Sequence, residues 1–137
     1  MANGHISDIF ADNILAGVFT ANWNLPQGCN VGLTLELPSD VNGTGIVVPD
    51  APEYGPVWMP FDDYSTWASM GAGSRSIESA IDVVFEPATV DWGQILGYTL
   101  HDSYGVYLGY GITNPYLIKT GMTARLPAGL IVITMPI

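Results

Sequence analysis

Cations are the scarcest resource in this 137-residue chain. Only three basic residues, Arg75, Lys119 and Arg125, stand against 13 acids, for a net charge of −10. A nucleic-acid surface needs clustered Lys and Arg to neutralise phosphates, so three scattered cations exclude that class. Charged residues of both signs make up 12% of the chain, against about 25% in an ordinary soluble domain. The acidity therefore comes from missing bases, not from surplus carboxylates. Cysteine is nearly absent too. Cys29 alone can form no internal disulfide and no thiolate metal cage, and its setting in a strand-like segment reads as burial. No apolar run reaches the roughly 20 residues of a membrane helix. The opening MANGHISDIF has no basic stretch before an apolar core, so no secretory signal is expected and synthesis in the cytoplasm follows.

What the chain does have is apolar and glycine-rich. Hydrophobic residues reach 48%, with 16 glycines and 10 prolines. A small domain with so few charges must cover its exterior with Tyr, Thr, Asn, Gly and apolar groups. Large apolar exteriors promote association, which points to an obligate component of an assembly.

Periodicity predicts one helix and many short strands. Over 6–18, Ile6, Ile9, Phe10, Asn13 and Ile14 recur at helical spacing, with Ser7 or Asp8 able to cap the first turn and Gly17 a plausible stop. Residues 29–36 alternate Val31, Leu33 and Leu35 against Asn30, Gly32 and Thr34, as a half-buried strand does. A long loop over 37–53 carries Val47 and Val48 on a brief edge segment. In the run 54–61 Pro56 and Pro60 restrict the chain to a sheet edge or an arm, with Trp58 and Met59 as a contact patch. A strand over 80–86 ends at Pro87. The stretch 94–111 then reads as a hairpin, turning at 102–105. Leu96, Tyr98 and Leu100 share one face of it, and Ile95, Gly97, Thr99 and His101 the other. A short strand over 116–120 and a terminal pair, 122–126 with 130–135, complete the chain. The count favours a mainly β domain, an antiparallel β-sandwich or jelly-roll-like fold over 29–137 with one N-terminal α-helix.

Catalytic chemistry finds little material. Only His5 and His101 offer imidazoles, and neighbours on a strand, such as His101 and Asp102, point to opposite faces. Asp62-Asp63 reads as a solvated loop, and Asp40, Asn42 and Thr44 lack the glycine and terminal Glu of a calcium loop. No metal and no cofactor is expected. Trp23, Trp58 and Trp67, with several tyrosines, suit a core, an interface or a sugar-stacking platform.

Three segments bear a likeness to other proteins. They are ISDIFADNILAGVF followed by VGLTLELP, then VVFEPATVDWGQILGYTLHDSYGVYLGYG with its F-x-x-A-T-x-D-W-G run, and LIKTGMTARLPAGLIVI. In these the chain resembles a family of small tailed-phage virion proteins, described as head decoration or tail-fibre-like. The middle segment APEYGPVWMPF departs, because it lacks the Arg that the family places there. The resemblance implies a structural virion protein without enzyme activity. The leading expectation is a capsid decoration (cement) protein on the phage head surface, partnered by the major capsid protein and by copies of itself, as a trimer by analogy. A tail-fibre or tail-tip component is the alternative within the virion class. A carbohydrate-binding β-sandwich module for host attachment is the alternative outside it. The expected interface residues are Ile9, Phe10, Val47, Val48, Trp58 and Met59.

Overall fold

The computed structural model describes residues 4–7, 27–39, 42–61, 66–71, 73 and 76–134. Among these residues, ten strands in three antiparallel sheets make the chain mainly β. The large sheet holds β1 (Gly4–Ile6), β2 (Gly28–Thr34), β3 (Val57–Pro60), β7 (Gly93–His101) and β8 (Tyr107–Ile118), in the order β1-β8-β7-β2-β3. A second sheet places β5 (Ser76–Ser79) between β10 (Val132–Thr134) and β4 (Trp67–Ser69). The third pairs β6 (Val83–Val84) with β9 (Arg125–Leu126). One hydrophobic core joins all three. It takes Cys29, Val31, Leu33, Ile95, Tyr98 and Leu100 from the large sheet, Trp67 from the second, and Val83, Phe85, Ala124 and Leu126 from around the third.

The register separates the faces of the large sheet. Leu33, Tyr98 and Gly111 lie in one cross-strand row, and Val57, Val31, Leu100 and Gly109 in the next, both on the core side. The opposite side carries the row Trp58, Asn30, His101 and Tyr107 and the row Gly32, Thr99 and Tyr110. Tyr98 fills the centre. Its ring lies over Gly111, directly opposite, where an added Cβ would collide with the ring's Cζ, Cε1 and hydroxyl. Burial of that phenol pushes its pKa up to about 12.

Two irregularities in β8 alter the predicted alternation. Between the pairs Ile95↔Tyr116 and Gly97↔Ile112, β8 spends two residues more than β7. Pro115, which has no N–H for the ladder, sits in that interval. Ile95, beside this slip, is fully buried and packs in the core with Tyr98 and Leu100, where strict alternation would set it on the face of Thr99 and His101. A second slip places Leu108 between Tyr107 and Gly109, so Leu108 enters the core while Tyr107 stays beside His101.

Other expectations are corrected. The helix over 6–18 is not supported: Ile6 closes β1 opposite Gly109, and Ser7 N–H continues the pairing by donating to Leu108 O (2.7 Å). Residues 8–18 lie outside the described residues, and no helix occurs among the described ones. Edge pairing with β8 outweighs the helical pattern at Ile6, since propensity is a weak prior against tertiary contacts. The strand over 116–120 is the end of the long β8. The segments 122–126 and 130–135 do not pair with each other. β9 pairs with β6 and β10 with β5, while the Leu130 N–H donates to Pro127 O (3.0 Å) to close the turn between them.

Candidate functional site

The F-x-x-A-T-x-D-W-G run builds a corner beside the large sheet. Phe85 and Trp92 are buried, and Tyr54 lies against both, stacked on Phe85 (centroids 6.2 Å apart) and edge-on to Trp92 (5.4 Å). Glu53 fastens the same corner. The Thr89 N–H donates to its Oε1 (2.6 Å), the Thr89 hydroxyl to its Oε2 (2.8 Å) and the Trp92 indole N–H to Oε1 (2.8 Å). Burial pushes the Glu53 carboxyl up. The Thr89 N–H, the indole, its own N–H and the Thr89 hydroxyl outweigh that and hold it at about 2. Asp91 performs a similar task one turn away, accepting from the Thr120 N–H (2.8 Å) and hydroxyl (3.0 Å), which with nearby Lys119 hold its carboxyl below the usual range. Gly93 then leaves the corner at φ 99°, a conformation that favours glycine.

This corner also completes the edge of β2. Beyond Val31 the neighbouring strand β3 has not yet begun, so the next N–H groups of β2 need other acceptors. Leu33 N–H donates to the Tyr54 hydroxyl (2.9 Å), and Leu35 N–H donates to Val47 O (2.8 Å). The loop between β2 and β3 is thereby drawn along the sheet edge.

Between that loop and the β7–β8 turn lies a cleft of about 380 Å³ on the side of the large sheet away from the core. Its floor is Asn30, Gly32, Thr99 and His101; its walls are Ile46, Val48, Tyr54 and Pro56 on one side and the turn from Asp102 to Gly105 on the other. Asp102 shapes that turn through its Oδ1, which accepts from the Tyr104 and Val106 N–H groups (both 2.8 Å). Burial lowers the His101 pKa below its ordinary 6.5, and the charge of Asp102 opposes this only in part, so the imidazole is neutral at pH 7. The His101 ring meets Tyr107 edge-on at 5.5 Å.

The expected contact residues separate in the structure. Val47, Val48 and Trp58 are exposed, Trp58 at 43% beside Asn30 at the β3 edge and Val48 on the wall of the cleft. Met59 is corrected: it is 2% exposed and joins the core, because alternation along β3 turns it inward where Trp58 faces out. Ile9 and Phe10 lie outside the described residues. Of the tryptophans proposed as a sugar platform, Trp67 is buried against Phe61 (5.6 Å), and Trp23 lies outside the described residues. Cys29 is buried, as its strand setting predicted, and desolvation pushes its thiol up to about 12. Sequence patterns did not mark the cleft, because its floor comes from two strands some 70 positions apart in sequence. The clue available was the polar set Asn30, Thr99 and His101 on the non-core face of strands that otherwise read as apolar. No protein-family model matches this chain, and no curated protein matches it.

Proposed function

We propose that this chain is a structural protein of a phage particle, a capsid decoration (cement) protein carried in many copies on the head. In this reading the large sheet packs on the smaller ones as a β-sandwich of jelly-roll-like form, and Ile9 and Phe10 are among the contacts. The observation that carries the proposal is the exposure of Val47, Val48 and Trp58 at and beside the β2–β3 edge of a chain with so few charges. Apolar groups held out on strands and on a loop tied to a strand favour a fixed partner surface over free solution. The segment resemblance to tailed-phage virion proteins supports the same reading.

The work of such a protein is mechanical. A stable interface buries about 1,200–2,000 Å², and repetition over a capsid multiplies a modest contact through avidity. The partners are the major capsid protein and neighbouring copies of this chain, as a trimer at a local three-fold axis. A net charge of −10 keeps the free protein off packaged DNA. Quantitative mass spectrometry of purified particles tests the assignment. A copy number near that of the major capsid protein supports it. A dozen copies or fewer moves the chain to the tail, and absence from the particle overturns the virion reading altogether.

A further inference from the structure

The cleft above Asn30, Thr99 and His101 borders the proposed contact surface at Val48, and it is built like a binding site. Asn30 and His101 are directly opposed on β2 and β7, and Gly32 and Thr99 form the next pair. Among the described residues, the Asn30 amide, the Thr99 hydroxyl and the His101 imidazole engage no hydrogen-bond partner. Thr99 is only 2% exposed, so its hydroxyl has little outlet except the cleft that it lines. The floor is open because residue 32 is glycine. A Cβ there would stand 2.8 Å from Thr99 Oγ1 and 3.0 Å from the Tyr54 hydroxyl. The walls are held from behind, Tyr54 by Leu33 N–H and the Phe85 and Trp92 rings, and the 102–105 turn by Asp102.

We propose that this cleft binds a single neutral, hydroxyl-rich ring of monosaccharide size. The volume of about 380 Å³ sits at the small end of ligand pockets, which run from roughly 300 to 1,000 Å³, and so suits one ring. Among the described residues no Lys or Arg lines the cleft, and Asp102 stands at its rim, which disfavours an anion. A cation would find that one carboxylate, with Oδ1 already engaged twice by the turn. A wholly apolar ligand would strip water from three polar side chains and pair none of them. Asn, Thr and neutral His each offer both a donor and an acceptor, which is what a set of sugar hydroxyls requires. Tyr54, Ile46, Val48 and Pro56 give the C–H face of the ring an apolar wall. None of this depends on where in a particle the chain sits.

NMR titration of the intact chain with methyl α-glucoside, methyl β-galactoside and N-acetylglucosamine provides the test. At least one sugar is expected to shift the His101 ring resonances and the Asn30 and Thr99 signals, with millimolar affinity. Asn30→Ala and Thr99→Val are each expected to weaken that binding about tenfold, the worth of one well-placed hydrogen bond. Thr99→Val is nearly isosteric, so it decides the matter if Asn30→Ala fails to fold. Silence of the His101 ring to all three sugars overturns the proposal. So does binding that a folded Thr99→Val variant leaves unchanged.

Discussion

Substituting Gly111 by Ala should destabilise the chain through one identifiable collision. The new Cβ would enter the Tyr98 ring at Cζ, Cε1 and the hydroxyl. That ring is 0% exposed and shares the core with Cys29, Leu33 and Ile95, so it has no open space to move into. Overpacking of this kind costs about 1–3 kcal/mol. Removing glycine from a strand returns roughly 0.5–1 kcal/mol of backbone entropy. A net loss of about 1 kcal/mol is therefore expected, which for a chain of this length lowers Tm by roughly 3–5 °C. Tyr98→Leu removes every ring atom named in the collision, because leucine ends at Cδ. In that background Gly111→Ala should instead gain the roughly 0.5–1 kcal/mol of backbone entropy, leaving a coupling energy of about 2 kcal/mol between the two sites. Urea unfolding of the four proteins of the cycle measures it. A Gly111→Ala cost below about 0.5 kcal/mol, or the same cost with Tyr98 and with Leu at position 98, would refute the reasoning.

Acid should weaken the corner at Glu53. Its carboxyl titrates near 4.5 when free and at about 2 when folded, so its contribution is complete above pH 4.5 and is lost as pH falls through 2. Glu53→Gln should flatten that acid limb in unfolding midpoints measured between those values, and a limb of unchanged slope would count against the Glu53 contacts. Cys29 should resist thiol reagents in the native state and react fully in denaturant, because its thiol is buried and held up at about 12. Leu126→Ala, at a position 0% exposed, should cost about 2–5 kcal/mol by urea unfolding. Trp58→Ser should leave the stability of the free chain within about 0.5 kcal/mol, since the side chain is exposed. On the particle-bound reading it should weaken retention, measured by sedimenting particles after salt washing.

The mainly β character and several local elements were legible from one-dimensional pattern. The alternation of Val31 and Leu33 against Asn30 and Gly32 marks β2, and the Asp102–Gly105 turn marks the β7–β8 hairpin, because strand period and turn chemistry are local properties. Few cations, a lone cysteine and the absence of a long apolar run follow from the sequence and need no coordinates. Tertiary structure decided what depends on partners distant in the chain. Ile6 belongs to a strand because β8 offers it an edge, whatever its helical spacing. Leu108 turns to the core where β8 spends an extra residue opposite β7, a bulge that pleat counting along one strand cannot see, and Ile95 is buried against the alternation of its own strand. β9 and β10 part to separate sheets although three residues of turn sequence invited them to pair. The polar floor at Asn30, Thr99 and His101 likewise exists only once β2 and β7 are in register. Sequence spacing sets which side of its own strand a residue takes; only the packed sheets decide what that side meets.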